Sequence, residues 1–370
     1  MNRFSLQTRL YSGPGSLTAL TRFHNKHIWV ICDGFLACSP LIEMLRNAIP
    51  EDNRISVFSD ITPDPTIATV VAGVVQMQTL RPQVVIGFGG GSALDAAKAI
   101  VWFSRQREIE IETCVAIPTT SGTGSEVTSA CVISDAEKGI KYPLFDNALY
   151  PDIAILDPLL VVSVPPAITA NTGLDVLTHA LEAYVSPKAS DFTDALAEKA
   201  AQLVFEYLPV AVKKGDCLAT RGKMHNAATL AGMAFSQAGL GINHAIAHQL
   251  GEQFHLPHGL ANALLLTSVI RFNAADKRAA KRYTRIAIAC HLCPAGANEH
   301  TGVNALIRQI EKLKQQCAVP TLANALKADK PAFYARIPVM VQAALADVTL
   351  QTTPRTANAG AIRNLLEELL

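Results

Sequence analysis

Short apolar runs alternate with amphipathic stretches through the first 160 or so residues of this 370-residue chain. HIWVIC (27–32), RISVFSD (54–60), PQVVIGFGGG (82–91), TCVAIPT (113–119) and DIAILD (152–157) are compact and rich in β-branched residues, and each predicts a strand. Between them PLIEMLRNAI (40–49), TIATVVAGVVQMQTL (66–80) and SALDAAKAIVWF (92–103) predict helices. Continuous apolar strands separated by helices predict a parallel sheet covered on both faces, because crossover helices join parallel neighbours. After Pro165-Pro166 the β pattern fades, and stretches such as DALAEKAAQLVFEYL and NALIRQIEKLKQQ carry apolar residues at helical spacing. The expectation is an α/β domain with a parallel sheet over 1–165 and an all-helical domain over 166–370.

Within the helical half, chemistry-bearing residues gather in two places. Asp175 and His179 in GLDVLTHALEAY are four apart, so a helix sets them on one face, one turn above the other. His244 and His248 repeat that spacing in GINHAIAHQLGEQFHLPHG, and His258 follows the Pro257 turn. A lone Asp/His pair of this kind is more often a solvated face or a cap. Here, however, His244, His248, His255 and His258 fall within fifteen residues of a chain that has ten histidines, among small and apolar neighbours. Buried imidazoles need partners, and one cation would supply several at once. Asp175, His179, His244 and His258 are the candidate ligands. Three imidazoles and a carboxylate, with no thiolate, suit Fe, Zn or a similar transition metal acting as a Lewis acid on a substrate oxygen.

The α/β half carries two loops at strand ends. VVIGFGGGSALDAAKAI sets Gly87, Gly89, Gly90 and Gly91 between a strand and a helix, where backbone can approach a phosphate closely and helix N–H groups are free to meet it. Ser92 either donates a hydroxyl there or caps the helix, and it replaces the third glycine of G-x-G-x-x-G. PTTSGTGSE (118–126) is a second small, hydroxyl-rich loop. Two such loops at strand C-termini fit a ligand crevice. Asp33, at the end of the first predicted strand, either accepts from a ribose hydroxyl or closes a turn in CDG.

Composition narrows the function class. Lys plus Arg number 32 against 31 Asp plus Glu, a formal charge of +1 without a basic stripe, which argues against nucleic acid and anionic membrane partners. The apolar residues, 49% of the chain, are too dispersed to predict a membrane span, and MNRFSLQTRLYSGPGSL lacks the apolar core of a signal peptide, so a cytoplasmic protein is expected. The eight cysteines are read as small buried hydrophobes, and the single C-x-x-C of Cys290 and Cys293 has no second pair to complete a zinc site.

GGGSALDAAK, IPTTSGTGSE, the D-x-x-x-H of GLDVLTHALEAY and the H-x-x-x-H…PHG of NHAIAHQLGEQFHLPHG together resemble the iron-dependent (group III) alcohol dehydrogenases, over essentially the whole chain. The resemblance implies a Rossmann-like domain that binds NAD(H) and a helical, catalytic domain that holds Fe2+, with Zn2+ as the rival ion. It implies Asp175, His179, His244 and His258 as ligands and His248 as a catalytic neighbour that does not ligate. It further implies Gly89, Gly90, Gly91, Ser92 and Asp95 at the pyrophosphate, Thr119, Thr120 and Ser121 on the nicotinamide and phosphate side, Lys141 near the ribose, and Asp33 at the adenosine ribose. Within the family the likeness runs to enzymes of the propanediol-utilisation microcompartment. That implies propionaldehyde as substrate, a homo-oligomer, and contacts with a shell or neighbouring enzymes. Ethanol or another short-chain alcohol or diol, and a metal-dependent lyase of the dehydroquinate synthase type, are the alternatives. The chain departs from the family's N-P-R at Thr353-Pro354-Arg355.

Overall fold

The computed structural model describes residues 4–135, 140–326 and 330–370. Eight strands occur among them: β1 (Arg9–Ser12), β2 (His27–Asp33), β3 (Arg54–Ile61), β4 (Val84–Gly89), β5 (Thr113–Pro118), β6 (Ala130–Asp135), β7 (Ile140–Phe145) and β8 (Ile153–Leu156). Six form one sheet in the order β1-β8-β5-β4-β2-β3, every pairing parallel, while β6 and β7 form an antiparallel hairpin. Alternation along the central strands gives the sheet two buried faces. Trp29, Ile31 and Val85 pack on one side with Val74 and Ile100, and Ile28, Val30 and Ile86 on the other with Ile42 and Leu45.

Three helices flank these strands: α1 (Pro40–Asn47), α2 (Ile67–Leu80) and α3 (Gly91–Arg105). Ser39 caps α1 by accepting from the Leu41 N–H, with Pro40 in the first turn, and Thr66 caps α2 by accepting from Thr69. α3 starts at Gly90 with no side-chain cap, which leaves its first N–H groups without a side-chain acceptor. β1 and the β6–β7 hairpin lie outside the sequence expectation. β1 is a four-residue edge strand with exposed ends, and an element of that kind carries no continuous apolar run to detect.

The remainder is helical: α4 (Pro166–Val185), α5 (Asp191–Lys213), α6 (Leu218–Ala238), α7 (Ile242–Phe254), α8 (His258–Asn273), α9 (Lys277–Ala289), α10 (Glu299–Gln316), α11 (Lys330–Ala346) and α12 (Ala359–Glu367). α4 is buried almost throughout its second half and packs on α5 and α8, and α7 packs on α8 and α11. No helix among the described residues is long and apolar enough to cross a membrane.

The chain divides into two compact units, one of Ser5–Ser163 with Asp216–Gly232, the other essentially Val164–Gly215 with Met233–Leu370. A single cut near 165 therefore does not describe residues 216–232, which pack on the segment 121–127 of the sheet-bearing unit. The reason is local. Thr229 Oγ1 donates to the buried Glu126 carboxylate at 2.6 Å, and Gly232 meets Gly124 so closely that a Cβ on Gly124 would lie 2.7 Å from the Gly232 Cα. Gly124 also has φ +63°, a conformation that side chains resist. Gly124→Ala should lower unfolding free energy by at least ~1 kcal/mol in urea denaturation, whereas Gly296→Ala, which meets nothing within 4 Å, should leave it unchanged. Equal stability of the two variants would contradict this contact.

Candidate active site

α4, α7 and the start of α8 bring Asp175, His179, His244 and His258 together. One donor atom from each lies within 4.8 Å of all the others. Asp175 Oδ1 is 3.7 Å from His244 Nε2 and 3.6 Å from His258 Nε2, and Asp175 Oδ2 is 3.8 Å from His179 Nε2. Donors around a tetrahedral ion at ~2.1 Å stand roughly 3.4 Å apart, so the cluster fits one cation with small adjustments. Asp175, His179 and His244 are buried, whereas the His258 side chain is 44% exposed and marks the open side.

The surroundings prepare these donors. Burial lowers the His179 pKa to about 4, against the pull of Asp175, so its imidazole stays neutral with a lone pair to offer. Its ring stacks on His244 and lies tilted against Phe235, and its Nδ1 has no hydrogen-bond partner, a buried orphan that leaves Nε2 as the useful donor. His244 is the opposite case. Burial alone would lower its pKa, but the neighbouring Asp175 and Glu182 carboxylates raise it to about 9. Glu182 Oε2 sits 2.6 Å from His244 Nδ1 and directs Nε2 into the cluster. Burial opposes the Asp175 charge, yet the neighbouring histidines hold its carboxyl well below the usual range.

His248 stands beside the cluster rather than in it. Its ring stacks against His258 with centroids 5.5 Å apart, and its Nδ1 bonds Asp347 Oδ2 at 2.7 Å. Burial would raise the Asp347 pKa, but the bond from His248 lowers it to about 2, and Thr349 holds the other oxygen through N–H and hydroxyl. His255 ends α7 in a left-handed cap (φ +53°), exposed and outside the cluster. Glu182, Asn243, Asn262 and Asp347 were not singled out in the sequence. Glu182 had a signal, since it follows Asp175 by seven and His179 by three on the same helix face.

In the sheet-bearing unit the strand order reverses between β2 and β4, and their C-terminal ends present Asp33 and Gly89. A Cβ on Gly89, which has φ +152°, would lie 2.7 Å from the Ala93 Cβ and 3.9 Å from Asp33 Oδ2. Asp33 Oδ1 accepts from the Leu36 N–H at 2.8 Å, so the turn role is occupied by one oxygen and the second remains. Thr119 N–H donates to the Gly89 carbonyl at 2.9 Å, and the Gly90 Cα region faces Thr120, which ties the two loops together. Asp95 takes Ser125 Oγ at 2.5 Å and the Val132 N–H at 2.9 Å, so both its oxygens bind protein groups. Ser121 Oγ bonds His225 Nδ1 at 3.0 Å, and Lys141 pairs with Asp64, whose N–H reaches Ser92 Oγ. Arg355, in the departing Thr353-Pro354-Arg355, donates to the Phe272 carbonyl and covers its ring, a packing role. Cys290 and Cys293 are free thiols outside any metal-ligand group among the described residues, and burial pushes Cys290 up to about 12.

Residues 7–158 match the family model for iron-containing alcohol dehydrogenase, and residues 169–370 match that for the C-terminal part of the Fe-containing alcohol dehydrogenase family. The chain belongs to this family. It is 81% identical to the 1-propanol dehydrogenase PduQ of Citrobacter freundii over 370 residues, all of both chains. Among solved structures it resembles a 1,3-propanediol oxidoreductase (TM-score 0.92, 29% identity, all of both chains). It also resembles the sulfoacetaldehyde reductase of Bifidobacterium kashiwanohense in complex with NAD+ (TM-score 0.89, 27% identity, 100% of this chain and 98% of that one).

A testable consequence concerns protons. With a raised pKa of about 9, His244 carries a proton at neutral pH that a cation must displace. Zinc(II) uptake by metal-stripped enzyme at neutral pH should release about one proton per ion, and affinity should climb about tenfold per pH unit before levelling above about 9. Calorimetry in buffers of different ionisation enthalpy measures this directly; uptake without proton release would contradict the assignment.

Proposed function

We propose that the enzyme reduces a short-chain aldehyde, propionaldehyde above others, to the primary alcohol with NADH, reversibly. The observation that carries this reading is the Asp175, His179, His244 and His258 cluster in a chain 81% identical throughout to a 1-propanol dehydrogenase. In this reading residues 1–165, joined by 216–232, supply the NAD-binding domain, and the rest of 166–370 the metal-binding, catalytic domain. The four clustered residues hold a divalent ion, Fe2+ in the family, which when bound supplies Lewis acidity to the substrate oxygen.

The chain's own groups do the rest. The glycine turn at Gly89, Gly90, Gly91 and Ser92 offers uncapped N–H groups at the start of α3 to the cofactor pyrophosphate. Thr119, Thr120 and Ser121 would line the nicotinamide side, and Lys141 would meet the ribose. Asp95 acts by fixing Ser125 and β6, which shapes that loop. A bound nicotinamide would supply the hydride, and the substrate oxygen would then need a proton from the chain. His248 supplies it at Nε2, because Asp347 occupies Nδ1 and the ring is one-third exposed, open to recharging from solvent. The NAD+ complex of the similar sulfoacetaldehyde reductase supports the cofactor assignment. The likeness to propanediol-utilisation enzymes supports a homo-oligomer working inside a microcompartment, in contact with its shell or a neighbouring aldehyde dehydrogenase.

The test is a panel of short-chain aldehydes with NADH on anaerobically purified, iron-loaded enzyme. Propionaldehyde should give the highest kcat/KM; no NADH oxidation with any member would end the reading. Cofactor choice rests on Asp33. Its free oxygen can accept from the adenosine ribose, and its charge would repel a 2′-phosphate. Asp33→Asn keeps the cap to Leu36 while removing the charge. This variant should raise kcat/KM for NADPH relative to NADH, and an unchanged ratio would remove Asp33 from the cofactor site.

A further inference from the structure

Two fully buried asparagines join the ligand cluster to the carboxylate behind it. Asn262 lies one turn beyond His258 on α8, and its Nδ2 is 2.7 Å from Asp175 Oδ1, 3.1 Å from His258 Nε2 and 3.2 Å from His244 Nε2. One amide nitrogen thus faces three of the four candidate ligand atoms. Asn243, next to His244 on α7, donates from Nδ2 to Asn262 Oδ1 at 2.8 Å and to the Asn262 backbone carbonyl at 3.2 Å. Its own backbone N–H donates to Glu182 Oε1 at 2.8 Å, while Glu182 Oε2 holds His244. The bonds run in one chain: Asp175, Asn262, Asn243, Glu182, His244.

The acceptor pattern fixes the direction of both amides. Asn243 faces two oxygens of Asn262, so only its NH2 end fits there, and its Oδ1 is left without a hydrogen-bond partner. That claims the oxygen of the Asn262 side chain and turns its NH2 toward the ligands. With the opposite orientation, a carbonyl oxygen would stand against the Asp175 carboxylate, an acceptor on an acceptor. We propose that Asn243 and Asn262 are positioning residues for the metal: Asn243 sets which end of the Asn262 amide faces inward, and Asn262 holds the Asp175 carboxylate, whose Oδ1 keeps further lone pairs for a cation, at ligand spacing. The amide itself stays out of the ligand set, because its oxygen is occupied by Asn243. This inference rests on the reading that the four residues hold a divalent ion.

Zinc(II) affinity of the full-length, chelator-stripped enzyme, measured by competition with a chromophoric chelator, tests the proposal. Loss of a partner that orients a ligand weakens metal binding by ~10–100-fold, and Asn262→Ala should show a loss of that size. Asn243→Ala leaves the backbone bond to Glu182 intact and should also weaken binding. The double variant should bind no more weakly than Asn262→Ala alone, since Asn243 acts through Asn262. Asn243→Ala carries the test if Asn262→Ala does not fold. A core role without effect on the ligands predicts lower Tm with unchanged zinc affinity in both variants, and that result would overturn the proposal. Asp175→Ala separates the two readings. If it abolishes zinc binding while both asparagine variants bind as the wild type does, only this inference fails; if wild-type binding does not depend on Asp175, the metal reading fails and takes the inference with it.

Discussion

A buried carboxylate ringed by three imidazoles, two of them buried, is the constraint around which the helical unit is arranged. Asp175 is 3% exposed, and an ionised group that far from water must be surrounded by donors or opposite charge. The sequence answers at every contact. α4 delivers Asp175, His179 and Glu182 on one face, α7 delivers Asn243 and His244 in succession, and α8 delivers His258 and Asn262 one turn apart. Removing any one of these leaves another buried polar group unmatched, so the arrangement specifies helix register as well as a ligand set. A divalent cation completes the charge balance better than the His244 proton does, because it meets all four donors at once.

The sheet-bearing unit meets a different constraint: backbone must come close to backbone. The β2 and β4 ends flank the strand-order reversal, and Gly89 carries a φ that leaves room for Ala93 and Asp33 beside it. The second loop is held from below by buried polar bonds. Lys98, itself buried, donates to the Ser125 carbonyl and the Thr128 hydroxyl, and Asp95 holds Ser125. A loop fixed this firmly presents its hydroxyls and N–H groups in one arrangement, which is what binding an extended dinucleotide in one pose requires.

Much of this was legible from residue pattern. Apolar runs located the other five parallel strands because buried strands need continuous β-branched residues, and the i,i+4 spacing grouped Asp175 with His179 because a helix places such residues on one face. What escaped had no local signature. β1 is four residues at a sheet edge, and α6 joins the loop after β5 through a glycine pair more than a hundred residues apart. Asn243, Asn262 and Asp347 read as ordinary polar residues until tertiary packing sets them against histidines. His255 illustrates the converse: proximity in sequence placed it in the histidine group, but a left-handed cap turns it to solvent.

Anomalous diffraction at the iron edge from anaerobically grown crystals of the iron-loaded enzyme tests the central claim most directly. One peak is predicted, with Asp175, His179, His244 and His258 at ~2.0–2.2 Å. A peak elsewhere, or one that lacks any of these four residues, would contradict the assignment of this cluster as the metal centre.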